Sequence, residues 1–160
     1  MRYVEGLTSV EGGFNRTGSR SPMQWDDSVN AGFGNSPKEK LYISQDPSED
    51  RPTVKAQMED KGSLYHEIKK LIGIRQAHTA LQSKGEISFV YVEENAYPFA
   101  YIRSSEKERI LVVLNPSGKD AEFACDLQVC EVIYSYGEAA RAESGKIMAP
   151  AASVSYLKID

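Results

Sequence analysis

The chain has 160 residues, 41% hydrophobic and 26% charged, with a formal net charge of −4. That length allows one ordinary domain or two small ones, and the composition is that of a soluble globular protein rather than a disordered one. No run approaches the roughly 18 apolar residues of a membrane helix, and the basic side chains are scattered, so neither a membrane nor a nucleic acid is expected as a partner.

The opening Met1-Arg2-Tyr3-Val4-Glu5 has no apolar core and no small-residue cleavage site. It does not read as a signal peptide, and a cytoplasmic location is the expectation. Residues 1–51 are rich in Gly, Asn, Ser and Pro. Glu11-Gly12-Gly13-Phe14-Asn15 and Gly32-Phe33-Gly34-Asn35-Ser36-Pro37 are turn chemistry, since Gly and Asn tolerate positive φ. A loop this long is out of place in an independent compact domain. It fits a chain cut from a larger scaffold.

Helical signals follow. Pro52-Thr53 before Val54-Lys55-Ala56-Gln57-Met58 predicts a short helix capped by the Thr53 hydroxyl. A longer periodic segment runs from Asp60 to about His78, with Leu64, Ile68, Leu71 and Ile72 on one stripe. Gly62 and Gly73 each weaken it by about 1 kcal/mol relative to alanine, so packing must stabilise it. An apolar stripe of this kind favours association. The expectation is a homodimer through it, or its burial on the chain's own C-terminal domain.

From Gly85 onward the period changes to that of strands. Glu86–Val92, Phe99–Arg103 and Arg109–Leu114 are β-branched and aromatic, and turn clusters such as Asn115-Pro116-Ser117-Gly118 separate such runs. Further strands are expected at Ala121–Cys125, Glu131–Ser135, Lys146–Met148 and Val154–Ile159. Many short strands at this spacing predict an antiparallel sandwich. Cys125 and Cys130 read as two half-buried thiols, with a hairpin disulfide as the alternative; no metal and no cofactor is expected.

The segment Gly18-Ser19-Arg20-Ser21-Pro22-Met23-Gln24-Trp25-Asp26, followed by Asn30-Ala31-Gly32-Phe33, carries a family resemblance. It resembles the Arg-Thr-Pro-Met-Gln-Trp…Asn-Ala-Gly-Phe stretch of glycoside hydrolase family 13, the α-amylase superfamily, in its α-glucosidase, oligo-1,6-glucosidase and trehalose synthase branch. Ser21 stands where Thr is usual and keeps a hydroxyl. Gln45-Asp46-Pro47, Val54-Lys55-Ala56-Gln57, Lys69–Arg75, Tyr97–Tyr101 and Val113-Leu114-Asn115 continue the likeness in order along the chain.

The resemblance implies a mixed fold, in which the end of a (β/α)8 barrel (long loop plus last helices) is followed by an antiparallel all-β sandwich. Residues 1–84 would be the barrel's last loop and final helix, and residues 85–160 the β-domain. It also implies retaining chemistry, in which a carboxylate nucleophile and an acid/base carboxyl lie about 5–5.5 Å apart. Those groups lie upstream of Met1 in the family pattern, so the chain alone is expected to be inactive, and its natural partner is the missing barrel portion. An α-glucoside would bind only to the full-length parent.

One residue is carried over as substrate-lining. Arg20 matches an arginine facing the family's pocket, where a guanidinium holds sugar hydroxyls and keeps carboxylates ionised. Bracing the loop's carbonyls is its alternative role. Pro22, Gln24, Trp25 and Phe33 are expected to be structural: Gln24 bonding loop backbone, Trp25 anchoring the loop, Phe33 packing beneath it. Glu5, Glu11, Asp26 and Asp27 read as solvated turn or cap residues rather than an acid/base pair. An independent carbohydrate-binding β-module, suggested by Tyr91, Tyr97, Tyr101, Tyr134, Tyr136 and Tyr156, is the rival function.

Overall fold

The computed structural model describes Val10–Glu11, Phe14–Asn15 and residues 21–160. Contacts group the chain into two units, Met1–Lys70 and Leu71–Asp160.

In the first unit, β1 (Val10–Glu11) pairs antiparallel with β2 (Phe14–Asn15). Residues 21–53 contain only turns, two of them short 3-10 helices at Val29–Gly32 and Lys38–Lys40. The helix α1 (Val54–Glu59) opens at Thr53, which is buried and whose hydroxyl accepts a hydrogen bond from Ala56 N at 3.2 Å. This cap satisfies one of the free amides at a helix start. The chain then turns through Asp60, whose carboxylate accepts from Gly62 N at 2.9 Å, into α2 (Leu64–Ala77). At the start of α2, Tyr65 N donates to Gln57 Oε1 at 3.1 Å, and the buried Ser63 donates its hydroxyl to Gln57 O. The stripe on α2 stays largely uncovered: Leu64 is 70%, Ile68 47% and Ile72 52% exposed, with Leu71 half-buried.

The second unit is built on two antiparallel sheets. The larger contains β3 (Glu86–Tyr91), β4 (Phe99–Ser104), β5 (Arg109–Asn115), β7 (Val129–Tyr136) and β10 (Ser153–Ile159), in the order β3-β4-β5-β10-β7. The smaller has the order β6-β9-β8, from β6 (Ala121–Ala124), β8 (Arg141–Glu143) and β9 (Lys146–Ala149). One face of the larger sheet presents Ala100, Ile102, Leu111, Val113, Leu157 and Ile159, which pack with Phe123, Ile147 and Ala149 of the smaller sheet. This is the core of the sandwich. Strand β5 sits at the centre of the larger sheet, and its other face supplies Ile110 and Val112 to a second cluster with Ala80. Hence the near-continuous apolar run Ile110–Leu114, as expected of a strand buried on both faces.

The connection from α2 to β3 is a 3-10 turn at Thr79–Leu81, with Ala80 wholly buried, leading to Gly85. A Cβ at Gly85 would sit 2.1 Å from Ala80 O and 2.9 Å from Arg103 Nη2. No side chain fits there without moving backbone. Gly85→Ala is therefore expected to destabilise the β-domain by about 1–3 kcal/mol, the usual range for overpacking. Urea unfolding followed by far-UV circular dichroism measures it, and an unchanged midpoint would contradict the close approach. No helix among the described residues is long and apolar enough to cross a membrane.

Candidate functional site

The segment that carries the family motif is held by its own backbone and by α1. Trp25 N donates to Ala31 O at 2.8 Å and Asp26 N to the same oxygen at 3.3 Å, closing the loop Asp26–Asn30. Inside it, Ser28 gives both its amide (2.8 Å) and its hydroxyl (2.5 Å) to Asp26 Oδ1. Those two bonds, hydroxyl first, outweigh desolvation and, with the charge of Lys55, hold the Asp26 carboxyl below its ordinary value. Asp26 is a turn-closing acceptor.

Three successive residues here have left-handed backbone: Asn30 (φ 52°), Ala31 (φ 52°) and Gly32 (φ 71°). Asparagine and glycine adopt this region readily, whereas alanine does so at a cost. Ala31 is 1% exposed, so its position is enforced by burial. A Cβ on Gly32 would lie 2.9 Å from Asp26 Oδ1 and 3.1 Å from Trp25 Cβ, so the turn needs glycine for space as well as for φ. Asn30 Nδ2 reaches Gly34 O at 2.9 Å and Ser36 O at 2.7 Å, while Gln45 Nε2 donates to Asn30 O. The Asn-Ala-Gly-Phe part of the motif thus codes for a turn that folds back on residues 24–26.

That turn presents residues 24 and 25 to a helix terminus. Val54 N donates to Gln24 O and Lys55 N to Trp25 O, both at 2.9 Å, and Gln24 Nε2 donates to Pro52 O at 2.8 Å. Two amides of the first turn of α1 find their acceptors in the motif, and Thr53 satisfies a third. Gln24 thus accepts from the first residue of α1 and donates to the loop carbonyl of Pro52. The backbone of Trp25 is fixed at both its amide and its carbonyl, but the residue is 49% exposed, beside a shallow depression lined by Asp26, Val54, Lys55, Met58 and Glu59. Phe33 is 52% exposed rather than packed beneath the loop, and Pro22 is half-buried.

Arg20, the residue expected to line a substrate pocket, lies outside the described residues, as does Glu5; of Glu11 only the backbone is described. Asp27 is exposed. Asp46 resembles Asp26: the Ser48 amide and hydroxyl, against desolvation and together with Arg51, keep its carboxyl below its ordinary value. No group of three or more His, Cys, Asp or Glu among the described residues is arranged to hold a metal. Cys125 and Cys130 are free thiols, the first half-buried and the second exposed, so the hairpin disulfide is not formed.

Residues 5–84 match the family model described as the α-amylase catalytic domain, which is half of the chain. The chain belongs to the α-amylase family. The oligo-1,6-glucosidase of Parageobacillus thermoglucosidasius is 37% identical over 109 residues, 68% of this chain and 18% of that protein. The trehalose synthase of Thermus thermophilus is 32% identical over 117 residues, 71% of this chain and 12% of that protein. Among solved structures, the trehalulose synthase MutB from Pseudomonas mesoacidophila MX-45 superposes with a TM-score of 0.75 at 28% identity, covering 91% of this chain and 26% of that one. This α-amylase-family chain therefore spans less than a quarter of the length of these two curated relatives. Its architecture is that of a barrel end followed by a β-domain.

The motif was legible because its residue types are unusual together. Gln45 was legible as part of the family likeness, but nothing near it along the chain tied it to the Asn30 carbonyl.

Proposed function

We propose that this chain is the C-terminal portion of a retaining α-glucoside-processing enzyme, which hydrolyses its substrate or transfers or isomerises glucose. In this reading residues 1–84 supply the last loop and helix of the catalytic barrel, residues 85–160 are its β-domain, and the catalytic carboxylates lie on other polypeptide. The observation that carries the assignment is the match of residues 5–84 to the α-amylase catalytic domain, together with relatives named for acting on 1,6-linked oligoglucosides or for making trehalose.

Arg20 is assigned to the pocket wall of the complete enzyme, beside the sugar. Pro22, Gln24, Trp25 and Phe33 are assigned to shaping the loop that presents it, and the bonds from Gln24 and Trp25 to α1 support this.

Incubation of the 160-residue chain with maltose, isomaltose, sucrose and a nitrophenyl α-glucoside is expected to give no turnover. Activity that co-purifies with the chain through successive columns would overturn the assignment of the carboxylates to other polypeptide. The rival, an independent carbohydrate-binding β-module, draws on Phe89, Tyr97 and Tyr136, whose rings are 64%, 52% and 60% exposed. Titration with maltooligosaccharides separates the two. Saturable binding abolished by Tyr136→Ala would favour the module.

A further inference from the structure

We propose that Arg103 and Glu108 form an electrostatic latch that grips the buried residue Ala80 by both its backbone groups, fastens the exit of α2 to the β-domain, and opens when Glu108 is protonated. The geometry is specific. Glu108 Oε1 accepts from Ala80 N at 3.1 Å, and Arg103 Nε donates to Ala80 O at 3.1 Å. Arg103 continues along the connection, with Nη2 donating to Gln82 O at 2.7 Å and to Gly85 O at 3.0 Å. On the other side, Glu108 Oε2 lies 2.8 Å from His78 Nδ1, and Thr79 Oγ1 donates to Glu108 Oε1 at 3.2 Å.

Arg103 is in β4 and Glu108 directly precedes β5, so the two sides of one hairpin close on the connection like tongs. Hydrogen bonds to ionised groups are about twice as strong as neutral ones.

The two jaws respond differently to acid. A guanidinium keeps its charge at any working pH, whereas the carboxylate titrates. The titratable and charged groups on the elements around Glu108 are His78 on the connection, Arg103 on the neighbouring strand and Glu106 and Lys107 at the hairpin tip, with Lys84 and Glu86 in the groove shared by Thr79 and Ser105. Burial alone would raise the Glu108 carboxyl. The bonds from His78 and from Ala80 N, the charge of His78 and the Thr79 hydroxyl outweigh it and leave the carboxyl below its ordinary value.

A lowered carboxyl pKa stabilises the folded arrangement at and above the ordinary carboxyl range. That contribution disappears as pH falls through the lowered value. A protonated Glu108 has given up the ionised oxygens that hold Ala80 N and His78 Nδ1, so this side of the latch loses the strength of its bonds. The latch is closed at neutral pH and opens in acid.

Hydrogen exchange of the full chain, expressed as protection relative to unstructured peptides, tests this at single amides. In the native sequence the Ala80 amide should lose about tenfold or more of its protection between roughly pH 6 and pH 3, before the β5 and β10 amides do. In Glu108→Ala that protection should already be lost at neutral pH, with Leu111 and Leu157 unaffected. In Glu108→Gln, which keeps the shape without the charge, the Ala80 profile should be flat across the same range. Retained Ala80 protection in Glu108→Ala, or a native profile in which Ala80 opens only together with β5 and β10, overturns the latch. If Glu108→Ala does not fold, a Glu108→Gln profile that still falls with acid has the same force.

Discussion

Leu111→Ala is expected to lower the unfolding free energy of the β-domain by about 2–5 kcal/mol, the range seen when a buried leucine is cut back to alanine. Leu111 is wholly buried on the central strand β5. It stands opposite Ile102 of β4 and Leu157 of β10, in a cluster that includes Ile147 and Phe123 of the smaller sheet. Backbone pairing holds β5 on both sides, so the strand cannot collapse into the space left behind, and the cavity term adds to the lost transfer energy. Against a total stability of about 5–15 kcal/mol for a domain, this is a large fraction. Urea unfolding monitored by far-UV circular dichroism should show a lower midpoint with an unchanged slope. The lone tryptophan is a poor probe here, because Trp25 belongs to the first unit. A loss below about 0.5 kcal/mol, the size of an ordinary surface substitution, would mean that the two sheets do not enclose Leu111 as described.

The strands around that core were readable because each has either an alternating or a continuous apolar pattern. Phe99–Ser104 alternates half-buried and buried residues, and Arg109–Asn115 is buried almost throughout. Arg141–Glu143 was not readable. Its three residues are all exposed, and Arg-Ala-Glu carries no apolar period. Strand β10 was readable for its existence but misleading for its faces. Its buried positions begin with Ser153 and Ser155, while Val154 and Tyr156 point to the half-buried side. Ser155 is tolerated because its hydroxyl accepts from Ala140 N at 2.8 Å, a partner 15 positions away that no local window reveals.

The motif at residues 20–33 shows the same limit. Its family signal was plain from residue types alone. What Gln24 and Trp25 do with their carbonyls depends on α1, about 30 positions later. The latch was missed for the same reason: His78, Arg103 and Glu108 look like ordinary surface charges until the hairpin and the connection are brought together.

Asn115→Ala is expected to cost about 3–5 kcal/mol, more than its size suggests, because the side chain that it removes is a buried tie between two turns. Asn115 is wholly buried at the end of β5, opposite Ser153. Its Nδ2 donates to Lys119 O and Ala149 O at 2.9 Å and to Pro150 O at 3.0 Å, while Oδ1 accepts from Ser117 Oγ at 2.7 Å and Ser117 N at 3.3 Å. Removing it takes a shared donor from three carbonyls, and each buried group left unsatisfied costs about 1–3 kcal/mol. Ala152 N to Ser117 O at 2.8 Å and Ala151 N to Asp120 Oδ1 at 2.9 Å also join these turns, but both lie on the surface side of the buried amide. Asn115→Asp separates hydrogen bonding from volume. It fills the same space but sets carboxylate oxygens against three carbonyl oxygens, so at neutral pH it should destabilise the domain more than alanine does. Burial and the carbonyl oxygens facing one of its two oxygens raise the pKa of such a carboxyl, against the Ser117 donors at the other. The aspartate variant should therefore recover part of its stability as the pH falls and the group becomes neutral, whereas the alanine variant should follow the native pH profile. Parallel unfolding curves of the three proteins across pH decide the matter. An Asn115→Asp variant as stable as the native chain at neutral pH would show that the amide donor is not what holds these turns together.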